Sequence, residues 1–293
     1  MTAMKGVRKS SKRQPSGIKI GNYVLPAQIV VSGLLALLYV FFLIGGSYEG
    51  SDIIVQLIYF ALFGVMIFVL RQGQRYYTQL AYAFLVLAIP PMLWYVVRYL
   101  GYGPAVPDLG WFLWVGGVSL ALGAGLTVAL LFAENGKPSD ISVRKGKFKE
   151  GLRLGGTALA ASLALVAAYV VFRVGFGSSQ LIPVIGGLAV FAVACAIGEE
   201  LLFRGLLLSR LMPVVEEKAA FAVQAVAFGA YESTFMYMLN PDPLYAVALF
   251  VVAAAAGVLL ASMTVKTKSL LSAMLAHTGL YLIIALPVFT QFL

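Results

Sequence analysis

Two adjacent glutamates and an arginine interrupt an apolar stretch, ACAIGEELLFRGLLLSR, at residues 194–210. An ionisable side chain at bilayer depth costs about 2.5–3.5 kcal/mol on insertion scales, so such groups are kept where they are paired or functional. Glu200 and Arg204 are four residues apart with the acid first, the favoured order for an ion pair on one helix face. We therefore predict that this pair forms. Glu199, about 100° away around the helix, then remains available as a general base.

Two later apolar stretches also carry ionisable side chains. Glu232 lies in AVAFGAYESTFMY, 15 residues after the start of its predicted helix at residue 217, and we place it near mid-membrane. A catalytic role and a structural role, with Ser233 or Thr234 as hydrogen-bond partner, both remain open for this carboxyl group. His277 and Tyr281, in SLLSAMLAHTGLYLI, are four residues apart and share one helix face. His277 is the only histidine of the chain, and we interpret it as a functional residue.

The remaining sequence predicts the helices that must position these side chains. Hydrophobic residues make up 61% of the 293 residues and charged residues only 11%, and the mean hydropathy is +0.93. Since a helix of roughly 20 apolar residues crosses a bilayer, this composition is typical of an integral membrane protein. We predict an all-α fold, a polytopic membrane helix bundle of about nine transmembrane helices. The predicted spans are 24–46, 53–70, 79–100, 109–133, 152–175, 181–211, 217–239, 244–264 and 268–291.

Loop charges predict the orientation and the regions of the chain. Basic loops and loops without basic residues alternate along the whole sequence, which places the N-terminus inside and the C-terminus outside in a multi-pass protein of the cell membrane. Most intramembrane charges lie in the second half, where we expect the chemistry. We divide the chain into a basic cytoplasmic tail (1–22), an N-terminal four-helix membrane region (23–135), a basic cytoplasmic loop (136–150) and a membrane core of catalytic type (151–293).

Other features exclude several classes of site. One cysteine, Cys195, and one histidine exclude an intramolecular disulfide and any multi-cysteine or multi-histidine metal site within one chain. We interpret Cys195 as a small apolar residue and not as a nucleophile. The net charge of +9 comes from helix ends and loops, so we expect anionic lipid at the cytoplasmic face as a partner and no nucleic acid.

The three polar helices, in this order, resemble the CPBP family, which includes type II CAAX prenyl proteases and bacteriocin-processing enzymes. The resemblance covers about residues 150–293. The first family motif, EExxxR, is matched by Glu199, Glu200 and Arg204. It implies an intramembrane endopeptidase in which Glu199 activates water, Glu200 and Arg204 support it, and His277 of the third motif is an oxyanion donor.

Two positions depart from the family motifs. The second motif, FxxxH, occurs here as Phe228-Gly-Ala-Tyr-Glu232, and the third, HxxxN, occurs as His277-Thr-Gly-Leu-Tyr281. Tyr281 could still donate a hydrogen bond to an oxyanion. Glu232 could share a proton with Glu199 in a carboxylate dyad that polarises water, or it could disable the site.

The leading hypothesis is a glutamate-dependent intramembrane endopeptidase that cleaves a hydrophobic or lipidated peptide in a cytoplasm-facing cleft. The alternatives are a catalytically impaired binding or scaffold protein on the same fold, and a proton-coupled transporter. Glu199, Glu232 and His277 could in principle hold a divalent ion. The family resemblance argues against a need for one, so we expect no metal and no cofactor. The oligomeric state is not predicted.

Overall fold

Nine long helices make up most of the described chain, which in this computed structural model comprises residues 17–20, 23–47, 53–71, 75–100, 108–175, 179–239 and 242–293. One of them is continuous over 31 residues, Leu181–Leu211, and contains a π-helical segment at Leu201–Leu207. Another π-helical segment, Val170–Val174, extends the helix before it. The α-helices are α1 (Ala27–Ser47), α2 (Ile53–Arg71), α3 (Arg75–Tyr99), α4 (Leu109–Ala133), α5 (Phe148–Tyr169), α6 (Leu181–Glu200), α7 (Leu208–Leu211), α8 (Glu217–Leu239), α9 (Pro243–Thr267) and α10 (Leu271–Phe289).

Eight of the long helices in the described residues are long and apolar enough to cross a membrane. The chain is therefore a multi-pass membrane helix bundle, as predicted. The ninth, α8, has 23 residues but does not reach the apolarity of the other eight. It carries buried polar side chains such as Gln224, Glu232 and Thr234. Because α1 and α9 pack against it, much of its surface faces protein, and such a helix does not need an all-apolar surface.

Short strands precede the first helix. β1 (Gly17–Ile20) pairs antiparallel with β2 (Tyr23–Pro26), with Gly17 opposite Pro26. Most of the predicted basic tail, residues 1–16, lies outside the described residues. The predicted outer loops at 49–52, 101–108, 175–180 and 240–243 also lie wholly or partly outside them. The orientation of the chain and the four regions derived from the sequence stay predictions.

The packing order of the helices brings the polar segments together. α10 packs against α5, α6 and α9. α8 packs against α9, α1 and the π-helical segment Leu201–Leu207. α4 packs mainly against α6, while α2 packs against α3. The end of α6, the middle of α8 and the middle of α10 therefore surround a common interior space, to which the predicted site residues belong.

The segment between α4 and α5 is fixed to the turn between α9 and α10. Backbone hydrogen bonds join Lys147 N to the Thr267 carbonyl at 2.7 Å and Leu270 N to the Ser142 carbonyl at 3.2 Å. The guanidinium Nε of Arg144 donates to the Lys268 carbonyl at 2.9 Å. The basic loop thus holds the start of α10, the helix that carries His277.

Two glycines allow α4 and α6 to approach each other closely next to the glutamates. A Cβ atom added to Gly198 would contact the Ser119 carbonyl oxygen and lie 3.1 Å from the Leu120 Cα. A Cβ atom added to Gly123 would lie 2.7 Å from the Gly198 carbonyl carbon. Small residues at such crossings let membrane helices pack backbone to backbone. Since Gly198 directly precedes Glu199, this crossing also sets the position of the first glutamate.

Gly198→Ala is expected to lower the free energy of unfolding by about 1–3 kcal/mol, because the added methyl group meets backbone atoms that cannot move aside. Gly186→Ala in the same helix is the matched control, since nothing lies within 4 Å of a Cβ atom there. In the control, alanine gains helix propensity of up to about 1 kcal/mol. Unfolding of both variants in detergent micelles measures the difference. Equal stabilities of Gly198→Ala and Gly186→Ala would contradict the close contact between α4 and α6.

Candidate active site

The first motif lies where α6 changes into the π-helical segment. Arg204 Nη1 donates to Glu200 Oε1 at 2.8 Å, and both side chains are fully buried. The contact predicted from their spacing is therefore present. Arg204 itself belongs to the π-helical segment, whereas the sequence predicts one regular α-helix over residues 181–211. π-helical turns occur frequently at functional sites.

His277 contacts both glutamates, one through each ring nitrogen. Its Nδ1 lies 2.8 Å from Glu200 Oε1, the same oxygen that accepts from Arg204. Its Nε2 lies 3.5 Å from Glu199 Oε2. Spacing within one helix predicts only Arg204 as the partner of Glu200, so the contact between His277 and Glu200 was not predicted. Glu200 thus fixes the ring orientation of His277 as well as the guanidinium.

Tyr281 joins the carboxyl groups of α6 and α8. Its hydroxyl lies 2.5 Å from Glu199 Oε1 and 3.1 Å from Glu232 Oε1. The structure therefore brings Glu232 into the same cluster as Glu199. The Tyr281 hydroxyl therefore contacts two carboxyl groups, whereas its position in the third motif suggested a hydrogen bond to an oxyanion.

Phe228, the first residue of the divergent second motif, forms an aromatic wall beside these polar groups. The Arg204 Cζ atom lies 4.0 Å from the centre of its ring, a cation–π contact. The Phe228 ring meets the His277 ring edge to face at 5.3 Å, and the His277 ring stacks on Tyr281 at 5.0 Å. Phe228 therefore packs against two of the polar side chains whose positions define the site.

All six residues predicted from the sequence converge in one buried cluster. None of them is more than 8% exposed. The cluster contains three carboxyl groups and one guanidinium, so at full ionisation with a neutral imidazole its net charge is −3 + 1 = −2. Uncompensated charge in a buried cluster is costly, so protons or a cation would stabilise these carboxyl groups. The residues are Glu199, Glu200, Arg204, Glu232, His277 and Tyr281.

Two small cavities adjoin the cluster. One is lined by residues of α8, α9 and α10 that include Glu232, His277 and Tyr281. The other lies on a further side of Glu232 and Tyr281, against Phe112 and Phe191. Each has a volume of about 30 Å³, enough for one or two water molecules or an ion. Neither cavity is large enough for a peptide.

A larger apolar cavity of about 420 Å³ lies between α1, α8 and α9, and its lining includes Val40, Ser233 and Phe250. None of the six clustered residues lines it. Thr234, two residues beyond Glu232 in α8, does contribute to its wall. We therefore treat it as separate from the polar cluster.

Comparison with known proteins supplies one match. Residues 180–283 match the family model described as type II CAAX prenyl endopeptidase Rce1-like. The comparison with curated proteins found no match, and neither did the comparison with solved structures. The matched segment is about a third of the chain and contains all six clustered residues. Residues 180–283 are therefore similar to the type II CAAX prenyl endopeptidases of the Rce1-like family, which agrees with the resemblance that the motifs indicated.

Proposed function

We propose that the chain is an intramembrane endopeptidase in which Glu199 and Glu232 act together on a water molecule. The observation that carries the proposal is the bridge formed by Tyr281, whose hydroxyl contacts a carboxyl oxygen of each glutamate. Two carboxyl groups held this close do not both ionise easily, so they share a proton. Such a pair supplies a base and an acid at one place.

The hydrolytic step divides between the two carboxyl groups. Glu199, as carboxylate, accepts a proton from water while the water oxygen bonds to the carbonyl carbon of the peptide. Glu232, carrying the shared proton, donates a hydrogen bond to the carbonyl oxygen as negative charge develops there. When the intermediate collapses, the C–N bond breaks and the amine leaves with the proton from Glu199. The products are a new carboxyl terminus and a new amino terminus.

The remaining residues of the cluster position this pair. Arg204 and His277 both contact Glu200 Oε1, which keeps Glu200 away from the reaction and turns His277 Nε2 toward Glu199. Tyr281 fixes the separation of the two reacting carboxyl groups. Each of these contacts is buried, so motion of one side chain displaces its neighbour.

The proposed substrate is a hydrophobic or lipidated peptide in the cell membrane. Glu199 lies 12 residues before Leu211, the end of the span, which is about 18 Å at the rise of an α-helix. If the basic loop faces the cytoplasm, as its charge predicts, the cleft opens to that side. The cavity beside His277 is lined by Ala253 and Ala256 of α9, and these small side chains favour peptide entry between α9 and α10. Anionic lipid contacts the basic loop.

Hydrolysis in ¹⁸O-labelled water tests the proposal. The full chain is reconstituted in liposomes with a CAAX-type peptide, in one arm prenylated at its cysteine and in the other unmodified. We expect cleavage with one labelled oxygen in the new carboxyl terminus, and the two arms reveal whether the prenyl group is required. Mass spectrometry detects both products. Absence of cleavage in both arms contradicts the proposal.

The replacement of the motif histidine by Glu232 favours one other function, a binding or scaffold protein on the same fold. Such a protein binds the peptide without cleaving it. A Glu232→His variant that gains cleavage, while the unaltered chain binds the peptide without turnover, would support the scaffold function. Turnover by the unaltered chain removes it.

A further inference from the structure

Basic side chains gather where the segment between α4 and α5 meets the turn between α9 and α10. Residues 137–153 and 264–272 together contain eight lysines and arginines and two acidic residues, a net charge of +6. All eight basic residues are exposed. Lys147 Nζ lies 3.4 Å and Lys266 Nζ 3.7 Å from a carboxyl oxygen of Glu150. Within the described residues the other six have no acidic partner, so their charges are open to an anion from outside the chain.

Hydrogen bonds and close packing join the two basic segments into one surface. Arg144 Nε donates to the Lys268 carbonyl at 2.9 Å, and Lys147 N donates to the Thr267 carbonyl at 2.7 Å. Gly146 has a φ of +51°, and a Cβ atom there would lie 2.8 Å from the Lys268 carbonyl carbon. Lys268 also has a left-handed φ, of 56°, which is uncommon for a residue other than glycine. The backbone thus fixes the basic residues of both segments relative to one another.

The surface lies at the ends of membrane spans. The candidate span Pro243–Thr267 ends at the turn, Leu271–Phe292 begins after it, and Phe148–Val174 begins beside it. Between the basic residues, Val143 and Phe148 are 43% and 44% exposed. Lysines and arginines that alternate with exposed apolar side chains are typical of segments at the boundary between lipid headgroups and acyl chains. The surface is therefore placed at the depth of the lipid phosphates.

We propose that this surface, formed by residues 142–149 and 266–269, binds the phosphate group of an anionic phospholipid. Arg144 supplies the directed contacts. Its Nε is held by the Lys268 carbonyl, while its other guanidinium nitrogens have no partner among the described residues and can donate to two phosphate oxygens. Lys145 and Lys149 add positive charge from the same segment, and each is exposed.

A phospholipid fits the surface better than an acidic peptide does. The phosphate of a phospholipid adjoins its acyl chains, so the phosphate meets the basic groups while the chains meet Val143 and Phe148. An acidic peptide would meet the charges and leave both apolar side chains in water, which costs free energy.

A bound lipid should also stabilise the start of α10. Leu270 N donates to the Ser142 carbonyl at 3.2 Å, so the basic segment holds the residue that precedes α10. A Cβ atom on Gly155 of α5 would lie 2.9 Å from the Ser272 Cα, so α5 and α10 are in close contact behind the surface. Because a ligand that binds only the folded chain stabilises it, we expect the lipid to raise the unfolding temperature.

The proposed site gives a defined place to the lipid contact named with the proposed function. Binding there requires no peptide cleavage. The lipid site and the peptidase activity can therefore fail separately, and each has its own measurement.

Lipid binding by the full chain tests the site directly. The protein is purified in an uncharged detergent and titrated with phosphatidylglycerol or phosphatidylcholine, and native mass spectrometry counts the bound lipid. We expect one phosphatidylglycerol per chain, bound in preference to phosphatidylcholine. The double variant Lys145→Gln with Lys149→Gln should weaken this binding about 30-fold, about fivefold for each lysine. Arg71→Gln with Arg75→Gln is the matched control, since it removes two exposed charges from the ends of α2 and α3 and should leave the binding unchanged.

Gly146→Ala separates a built surface from mere net charge. This substitution keeps every charge, but its methyl group overlaps the carbonyl groups of Thr267 and Lys268, so the two segments must move apart. Binding should weaken about fivefold, as for the loss of one basic contact. Gly156→Ala is its control, because a Cβ atom there meets only the Leu152 side chain, at 4.0 Å.

Further readouts separate the possible outcomes. Phosphatidylglycerol should raise the unfolding temperature of the unaltered chain and of the arginine control more than that of the lysine variant. Equal binding of the two lipids, or equal weakening in both double variants, overturns the proposal. Displacement of the lipid by equimolar glycerol phosphate or by a soluble glutamate-rich peptide also overturns it, because the surface would then belong to a soluble anion. Selective lipid binding by a chain that cleaves no peptide supports the site and contradicts only the peptidase.

Discussion

Replacing Glu199 with glutamine is expected to reduce peptide cleavage by about 10³-fold, within the range of 10² to 10⁴ that general acid–base catalysis contributes. Glutamine keeps the size of the side chain and an oxygen that accepts from Tyr281, but it cannot take a proton from water. The expected change lies in the rate constant for cleavage and not in peptide affinity. Single-turnover kinetics in liposomes measures the two quantities separately.

Glu217→Gln provides the control for this loss of a carboxylate, because Glu217 is exposed at the start of α8. Its cleavage rate should equal that of the unaltered chain. Retention of full activity by Glu199→Gln would remove this residue as the base, and with it the mechanism proposed for the pair. If Glu199→Gln unfolds, its loss of activity does not report on catalysis. Glu199→Asp, which keeps the carboxylate and shortens the side chain, then tests the same role in a folded protein.

Replacing Arg204 with methionine should have the largest effect on stability. The guanidinium is buried, pairs with Glu200 at 2.8 Å and lies over the Phe228 ring. Removal of one partner from a buried ion pair leaves the other charge uncompensated and typically costs about 3–5 kcal/mol. We expect a loss of this size in the free energy of unfolding, measured by reversible denaturation in mixed micelles.

An exposed ion pair supplies the matched comparison for Arg204. Lys266 Nζ lies 3.7 Å from Glu150 Oε1, and 61% of the Lys266 side chain is exposed. Lys266→Met should cost at most about 1 kcal/mol, since solvent screens such pairs. The double variant Arg204→Met with Glu200→Gln should regain part of the lost stability, because the orphaned carboxylate is then neutral. Equal losses for Arg204→Met and Lys266→Met would contradict the buried ion pair.

Apolar length was sufficient to predict most of the helices. The predicted spans 109–133 and 181–211 coincide with α4 and with the continuous helix Leu181–Leu211, because charged or glycine-containing loops flank both. The sequence also predicts α8, although its polar residues lower its apolarity. The π-helical turn around Arg204 was not predicted. The hydrophobic pattern does not indicate it, because a π-helical turn has one more residue than an α-helical turn but the same apolar composition.

The sequence predicted which residues belong to the site, but not which of them contact each other. Spacing along one helix predicts the contact between Glu200 and Arg204, because both belong to the same turn. The contact between Glu200 and His277 joins residues 77 positions apart, and the contact between Tyr281 and Glu232 joins residues 49 positions apart. Such contacts depend on how α10 packs against α6 and α9, which periodicity within one helix does not encode.

The π-helical segment Leu201–Leu207 divides the continuous helix Leu181–Leu211 into two halves whose side chains follow different helical positions. Before it, α6 packs against α4 and α10. The π-helical segment still contacts α4 and also contacts α3 and α8, and α7 contacts α3 and α8. A π-helical turn inserts an extra residue into the helical repeat. Side chains after the turn therefore point in different directions from those that a regular α-helix would give them. Deleting a single residue here would turn the end of the helix at Leu211 by about 100° relative to the glutamates. The motif could thus stay in place while that end adapts to different neighbours.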